Sequence, residues 1–140
     1  MRKPVLVINT GSSSIKFAVY EPNSEDGFTL RHKGMVEEVG REPSYTLKDG
    51  EESELSSGKL ENGLRTHDEC FGWLEGKLGE ILPEGGPSAV GHRVVHGGTG
   101  FTGPSLIDDG VLARLSELEP LAPLHQPYNV SGIRAMMKAY

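Results

Sequence analysis

A single cysteine, Cys70, occurs in the 140 residues, so no internal disulfide framework can hold the chain together. Positive charge is also in short supply. Lys and Arg number 14 against 20 Asp and Glu, and the net charge of -6 argues against a surface built for nucleic-acid phosphates. No apolar run approaches membrane-spanning length. The basic start, Met1-Arg2-Lys3-Pro4, leads into a short apolar run, but Asn9 and a run of serines follow without a signal-peptide cleavage pattern. There is no internal repeat. What remains is a polar but globular composition, 36% hydrophobic and 24% charged, long enough for one domain with a core of its own. A cytoplasmic protein is the default expectation.

Periodicity places the elements. Pro4 to Ile8 is a continuous apolar run and reads as a buried strand. Ser14 to Tyr20 alternates, with Ile15, Phe17 and Val19 on one side. The two runs predict a hairpin around Gly11. Phe28 to Val39 extends it to a meander, and Tyr45 to Lys48 gives a fourth strand. From Gly40 to Asn62 the chain is otherwise acidic, weakly patterned and rich in Ser and Gly, which predicts surface excursions. Thr66-His67-Asp68 offers helix-start chemistry ahead of Phe71, Leu74, Leu78, Ile81 and Leu82, and Pro83 and Gly85-Gly86 stop that helix. Ser88 to His96 reads as another strand, and Gly97 to Pro104, with four glycines in eight residues, as a loop. Asp108-Asp109 opens a helix to about Leu118, ended by Pro120 and Pro123. Asn129 is placed to cap a last helix carrying Ile133, Met136 and Met137. The order predicts an α/β fold, a mixed sheet with helices packed on it. No Gly or Asn stop signal precedes Tyr140, so the chain is expected to be part of a longer protein.

Three segments carry chemistry. In "VLVINTGSSSIKF", Val5 to Phe17, a glycine turn can present backbone N–H groups to an anion, and hydroxyls and a lysine add donors. If residues 12 to 16 run extended, Ser12, Ser14 and Lys16 share one face, and Asn9 offers a carbonyl oxygen from the end of the first strand. The pattern is not a P-loop, which has two glycines, an adjacent Lys-Ser/Thr and a following helix. A polar hairpin tip facing water stays open. In "GHRVVHGG", Gly91 to Gly98, alternation groups Arg93 with Val95 and sets His92, Val94 and His96 opposite. A guanidinium beside an isopropyl group suits a small carboxylate with a short alkyl tail. A structural salt bridge stays open for Arg93, and a metal site from His92 and His96 lacks a third ligand. In "LAPLHQPYN", Leu121 to Asn129, Pro123 and Pro127 are expected to hold His125 in extended backbone. Such a histidine can meet a phosphoryl oxygen or simply pack in a rigid turn.

Together, "VINTGSSSIKF", "GHRVVHGG" and "LAPLHQPYN" resemble the signatures of the acetate kinase family, in the superfamily with sugar kinases, Hsp70 and actin. The resemblance spans nearly all of the chain. It implies a ribonuclease H-like, actin-like fold, with residues 1–140 an N-terminal acetokinase-type domain whose C-terminal nucleotide-binding partner is absent. The implied activity is reversible ATP-dependent phosphorylation of acetate to acetyl phosphate and ADP, by a cytoplasmic homodimer using Mg2+, with no nucleic-acid or membrane partner. It assigns Asn9 to the magnesium ion, Ser12, Ser14 and Lys16 to ATP, Arg93 to the acetate carboxylate, Val95 and Leu124 to the methyl pocket, and His125 to the transferring phosphoryl group. Gln126 departs from the family's usual asparagine, which implies a small change in local hydrogen bonding. The catalytic aspartate, a second histidine, a second arginine, the adenosine-binding segments and a magnesium-linked glutamate are expected beyond Tyr140. A propionate or butyrate kinase, and a non-catalytic actin-like domain, are the alternatives. Dependence on a short-chain acid separates the last from the others.

Overall fold

The computed structural model describes residues 2–60 and 63–140. Six strands form one sheet. β1 (Val5–Thr10), β2 (Ile15–Pro22), β3 (Phe28–Glu37), β4 (Ser44–Asp49) and β5 (Glu54–Lys59) make an antiparallel meander. β6 (Ala89–His92) lies parallel to β1 on its other side, giving the order β5-β4-β3-β2-β1-β6. A parallel neighbour requires a crossover, and α1 (His67–Ile81) lies in it. After β6 come α2 (Asp109–Glu117), a short 3-10 turn (Glu119–Leu121) and α3 (Gln126–Ala139).

The alternation in β1 and β2 decides which face is covered. Leu6, Ile8, Ile15, Phe17 and Val19 are buried against Cys70, Phe71, Leu74 and Leu78 of α1 and Met136 of α3. Those α1 positions recur every three or four residues, which is why one stripe of that helix meets the sheet. Val7 on the opposite face is 39% exposed, so this side of the sheet is open among the described residues. A smaller apolar cluster joins Leu112 and Leu115 of α2 to Val130 and Ile133 of α3.

Local chemistry sets the helix ends. Thr66 accepts from the Glu69 N–H and Glu69 accepts from the Thr66 N–H, a reciprocal capping box. Asp108 caps α2 by accepting from Val111 N. At Gly132, α3 reaches β1 closely. A Cβ there would overlap the Thr10 hydroxyl and lie 3.2 Å from Thr10 Cβ and 3.4 Å from the Phe71 ring.

Two expectations are corrected. Of the supposed excursions from Gly40 to Asn62, residues 54–59 form β5, a further strand of the sheet, while Glu61 and Asn62 lie outside the described residues. The sequence ELSSGK shows no apolar alternation because β5 is an exposed edge, held by its ladder to β4 and by the Tyr45–Ser56 hydroxyl contact at 2.6 Å. The strand foreseen to His96 stops at His92. Beyond it, the N–H groups of Val95 and His96 bond to side chains of α3 instead of continuing a ladder.

Candidate active site

The β1–β2 turn is built by backbone. Thr10 pairs with Ile15, and the Gly11 N–H donates to Ser14 O at 2.8 Å, leaving Ser12 and Ser13 bent outward and exposed. Residues 12 to 16 are therefore not one extended run, because that hydrogen bond closes the tip and the strand begins only at Ile15. Ser12 and Ser14 belong to the tip, and Lys16 belongs to the strand. Two contacts hold the tip from outside. Val39 N donates to Ser13 O at 3.0 Å, and His67 Nε2 donates to Gly11 O at 2.8 Å while its ring stacks on Tyr128 at 4.7 Å. Nothing in the local pattern around His67 marked it for this task, since its partner is 56 residues away.

The open face aligns two of the expected residues. Asn9 sits directly opposite Lys16, and Ile8 sits beside His92. The β1–β6 ladder ends at that pair, so Asn9 and Lys16 face each other across β1 and β2 while Arg93, the first residue after β6, starts the loop at the same end of the sheet. Asn9 and Lys16 line a cavity of about 450 Å³ on this face with Ala18, Met35 and Thr46. Arg93 is not among its lining residues. Lys16 and Arg93 are exposed, and among the described residues neither has a carboxylate within 4 Å. The structural salt bridge considered for Arg93 is thus not formed among them.

The loop after β6 keeps the alternation without the strand. Arg93 and Val95 are exposed, whereas His92, Val94 and His96 are partly buried. His92 lines a second cavity of about 350 Å³ with Val94, Phe101, Ile107 and Leu115. Burial lowers its pKa to about 4, so the ring is neutral at pH 7. No group of three His, Cys, Asp or Glu side chains capable of holding a metal occurs among the described residues. For a magnesium ion the chain offers the Asn9 side-chain oxygen. One neutral donor fits an ion that takes most of its ligands from phosphate and water.

Leu124 and His125 end a turn at the head of α3, and both are exposed, Leu124 by 70%. His125 is the residue before the first helical turn, with φ -129 and ψ -50, so its backbone is not extended. The reason is Pro127. It falls in the first turn of the helix, where a missing N–H costs nothing, and the helix begins earlier than Asn129. Asn129 is accordingly no cap. It is buried inside α3, where its side-chain amide donates to Thr10 O at 2.9 Å and accepts from Val95 N at 3.0 Å. Gln126, fully buried, accepts from His96 N at 3.3 Å and donates to His96 O and Leu115 O at 3.0 Å. Sequence reasoning saw neither amide as a tether. The available signal was a pair of amides three residues apart around a proline.

The hairpin tip, the loop 93–96 and the turn at His125 therefore meet at one end of the sheet. A family model described as "Acetokinase family" matches residues 4–140. The acetate kinase of Rhodopseudomonas palustris (strain TIE-1) is 41% identical over 143 residues, covering 100% of this chain and 35% of that protein. The acetate kinase of Thermotoga maritima is 41% identical over 140 residues, covering 96% of this chain and 33% of its own length. Among solved structures, a propionate kinase from Francisella tularensis superposes with a TM-score of 0.80 at 32% identity, covering 97% of this chain and 34% of that one. The Porphyromonas gingivalis acetate kinase gives a TM-score of 0.79 at 29% identity, with 97% and 34% covered. The chain spans about a third of the length of these relatives, and it belongs to the acetokinase family.

Proposed function

We propose that residues 1–140 form one wall of the active site of an acetate kinase. In the whole enzyme, an acetate oxygen attacks the γ-phosphorus of ATP, the bond from that phosphorus to the β–γ bridging oxygen breaks, and ADP leaves with the bridging oxygen. Such transfer asks the protein mainly to position reactants and stabilise charge. Arg93 pairs with the acetate carboxylate and orients it. Val95, 46% exposed, and Leu124 supply two apolar surfaces for the methyl group. Lys16 and the hydroxyls of Ser12 and Ser14 hold the nucleotide phosphates, and His125 stabilises charge on the moving phosphoryl group. Asn9 would help hold a magnesium ion, whose chemistry is to neutralise phosphate charge. The same reading places the whole enzyme in the cytoplasm as a homodimer.

One observation carries this proposal. Arg93, exposed at the first position after β6, has no carboxylate partner among the described residues, and it leaves the sheet at the same end as the paired Asn9 and Lys16. An exposed guanidinium with no carboxylate partner among the described residues is available to an anionic ligand.

The test joins this chain to the remaining two-thirds of the Rhodopseudomonas palustris acetate kinase and measures acyl phosphate as the hydroxamate. ATP-dependent product from acetate is expected. A folded protein that binds ATP and yields none would support the non-catalytic actin-like alternative. A propionate kinase among the structural relatives keeps propionate and butyrate in view, so the three acids are compared. One added methylene changes binding by about 1–3 kcal/mol, so acetate is expected to lead with measurable cross-reaction.

A further inference from the structure

Resting on that reading of the site, we propose that Asn129 is a positioning residue that sets the distance between the acetate loop and the phosphate hairpin. Its single amide contacts both. Nδ2 donates to the carbonyl of Thr10, the last residue before the hairpin tip, and Oδ1 accepts from the N–H of Val95, two residues after Arg93. Both bonds are short, at 2.9 and 3.0 Å, and the side chain is 6% exposed, so water competes little for them.

The backbone makes this tether necessary. The ladder between β1 and β6 ends at the Ile8–His92 pair, and nothing in the sheet fixes the loop that carries Arg93 and Val95. Gln126, one turn earlier on α3, holds the next residue, His96, through both its N–H and its carbonyl. Of these two amides, Asn129 is the one that bonds to β1. The same helix turn carries His125 at its head, because the Asn129 N–H donates to His125 O at 3.0 Å. One residue thus links the segment after Arg93, the base of the serine tip and the histidine. In-line transfer is sensitive to the spacing of the two reactants at the scale of an ångström. Asn129 touches neither substrate.

The test uses the joined enzyme and the 140-residue chain. Asn129→Ala removes both bonds. It is expected to raise KM for acetate and lower kcat, together about tenfold or more in kcat/KM, with KM for ATP within about twofold. Asn129→Asp has a distinct signature. As a carboxylate it still accepts from Val95 N–H but faces Thr10 O without a proton. Once protonated it makes both bonds, and burial facing a carbonyl raises its pKa above the ordinary value of about 3.9. Its acetate kcat/KM relative to the parent at the same pH should therefore recover as pH falls from about 7 toward 5. A side chain that merely filled space would show no such recovery. In the 140-residue chain, Asn129→Ala should speed exchange of the Val95 amide about tenfold or more while amides of α1 keep their protection. Acetate KM and kcat within twofold of the parent for Asn129→Ala would overturn the proposal. So would unchanged Val95 exchange. If the joined parent makes no acyl phosphate, the kinase reading fails and Val95 exchange alone decides the tether.

Discussion

Replacing Gly132 with alanine sets two known effects against each other. Gly132 lies inside α3, where alanine is favoured over glycine by about 1 kcal/mol. Against that, the new Cβ would overlap the Thr10 hydroxyl and stand 3.2 Å from Thr10 Cβ. Turning the threonine cannot relieve the second contact, because Cβ does not move when χ1 rotates. The helix must lift from β1, and overpacking of this kind costs about 1–3 kcal/mol. Lifting also stretches the Asn129–Thr10 hydrogen bond, a further loss of about 1 kcal/mol. The expected net change is a destabilisation of about 1–3 kcal/mol, or about 3–10 °C in Tm for a domain of this size. Thermal unfolding followed by circular dichroism reads it directly. Two comparisons sharpen the assay. Gly72 and Gly79 of α1 meet nothing within 4 Å of a built Cβ, so Gly72→Ala and Gly79→Ala should stabilise by up to about 1 kcal/mol. Adding Thr10→Gly, which removes the Cβ itself, should couple favourably with Gly132→Ala by about 1 kcal/mol. A Gly132→Ala chain at least as stable as its parent would refute the close approach of α3 to β1.

Thr66→Ala removes the capping box of α1 and should cost about 1 kcal/mol, read as a lower Tm. Hydrogen bonds from Thr66 hold the Glu69 carboxyl below its ordinary pKa of 4.5. Its contribution is therefore complete above pH 4.5 and is lost as pH falls through the lower folded value. The backbone N–H, the largest cause, survives in Thr66→Ala, so Glu69→Ala is the change that should flatten the acid part of a Tm–pH curve. Burial depresses His92 from 6.5 to about 4, so the unfolded chain takes up this proton first. Stability from this group should fall as pH drops from about 6.5 toward 4, and His92→Leu should flatten that part of a Tm–pH curve. If the proposed function holds, the 140-residue chain alone makes negligible acetyl phosphate in the hydroxamate assay, because it spans about a third of the length of its acetate kinase relatives. Rates near those of a full-length kinase would contradict this.

The meander, α1 and the parallel strand were legible because their signals are local. Ile15, Phe17 and Val19 alternate and are buried, and Phe71, Leu74 and Leu78 keep helical spacing and face the sheet. β5 was not legible, because an exposed edge strand needs no apolar pattern. At the site, the grouping of Arg93 with Val95 survives as shared exposure although the strand ends earlier. The grouping of Ser12 and Ser14 with Lys16 assumed an extended tip that the Gly11–Ser14 hydrogen bond does not allow. The pairing of Lys16 with Asn9 depends on hairpin register, which a four-residue turn sets and periodicity alone does not. The tethers from Asn129, Gln126 and His67 were invisible for a simpler reason. Each joins positions 30 or more residues apart, and only the packed fold brings them together.

The role proposed for Arg93 stands or falls most directly on kcat/KM for acetate in the joined enzyme, compared between the parent and Arg93→Ala. Loss of a paired, charge-assisted contact worth about 1.5–3 kcal/mol should lower it about ten- to hundredfold, with KM for ATP changed less than threefold. An Arg93→Ala enzyme within twofold of the parent for acetate would remove this guanidinium from the acetate site.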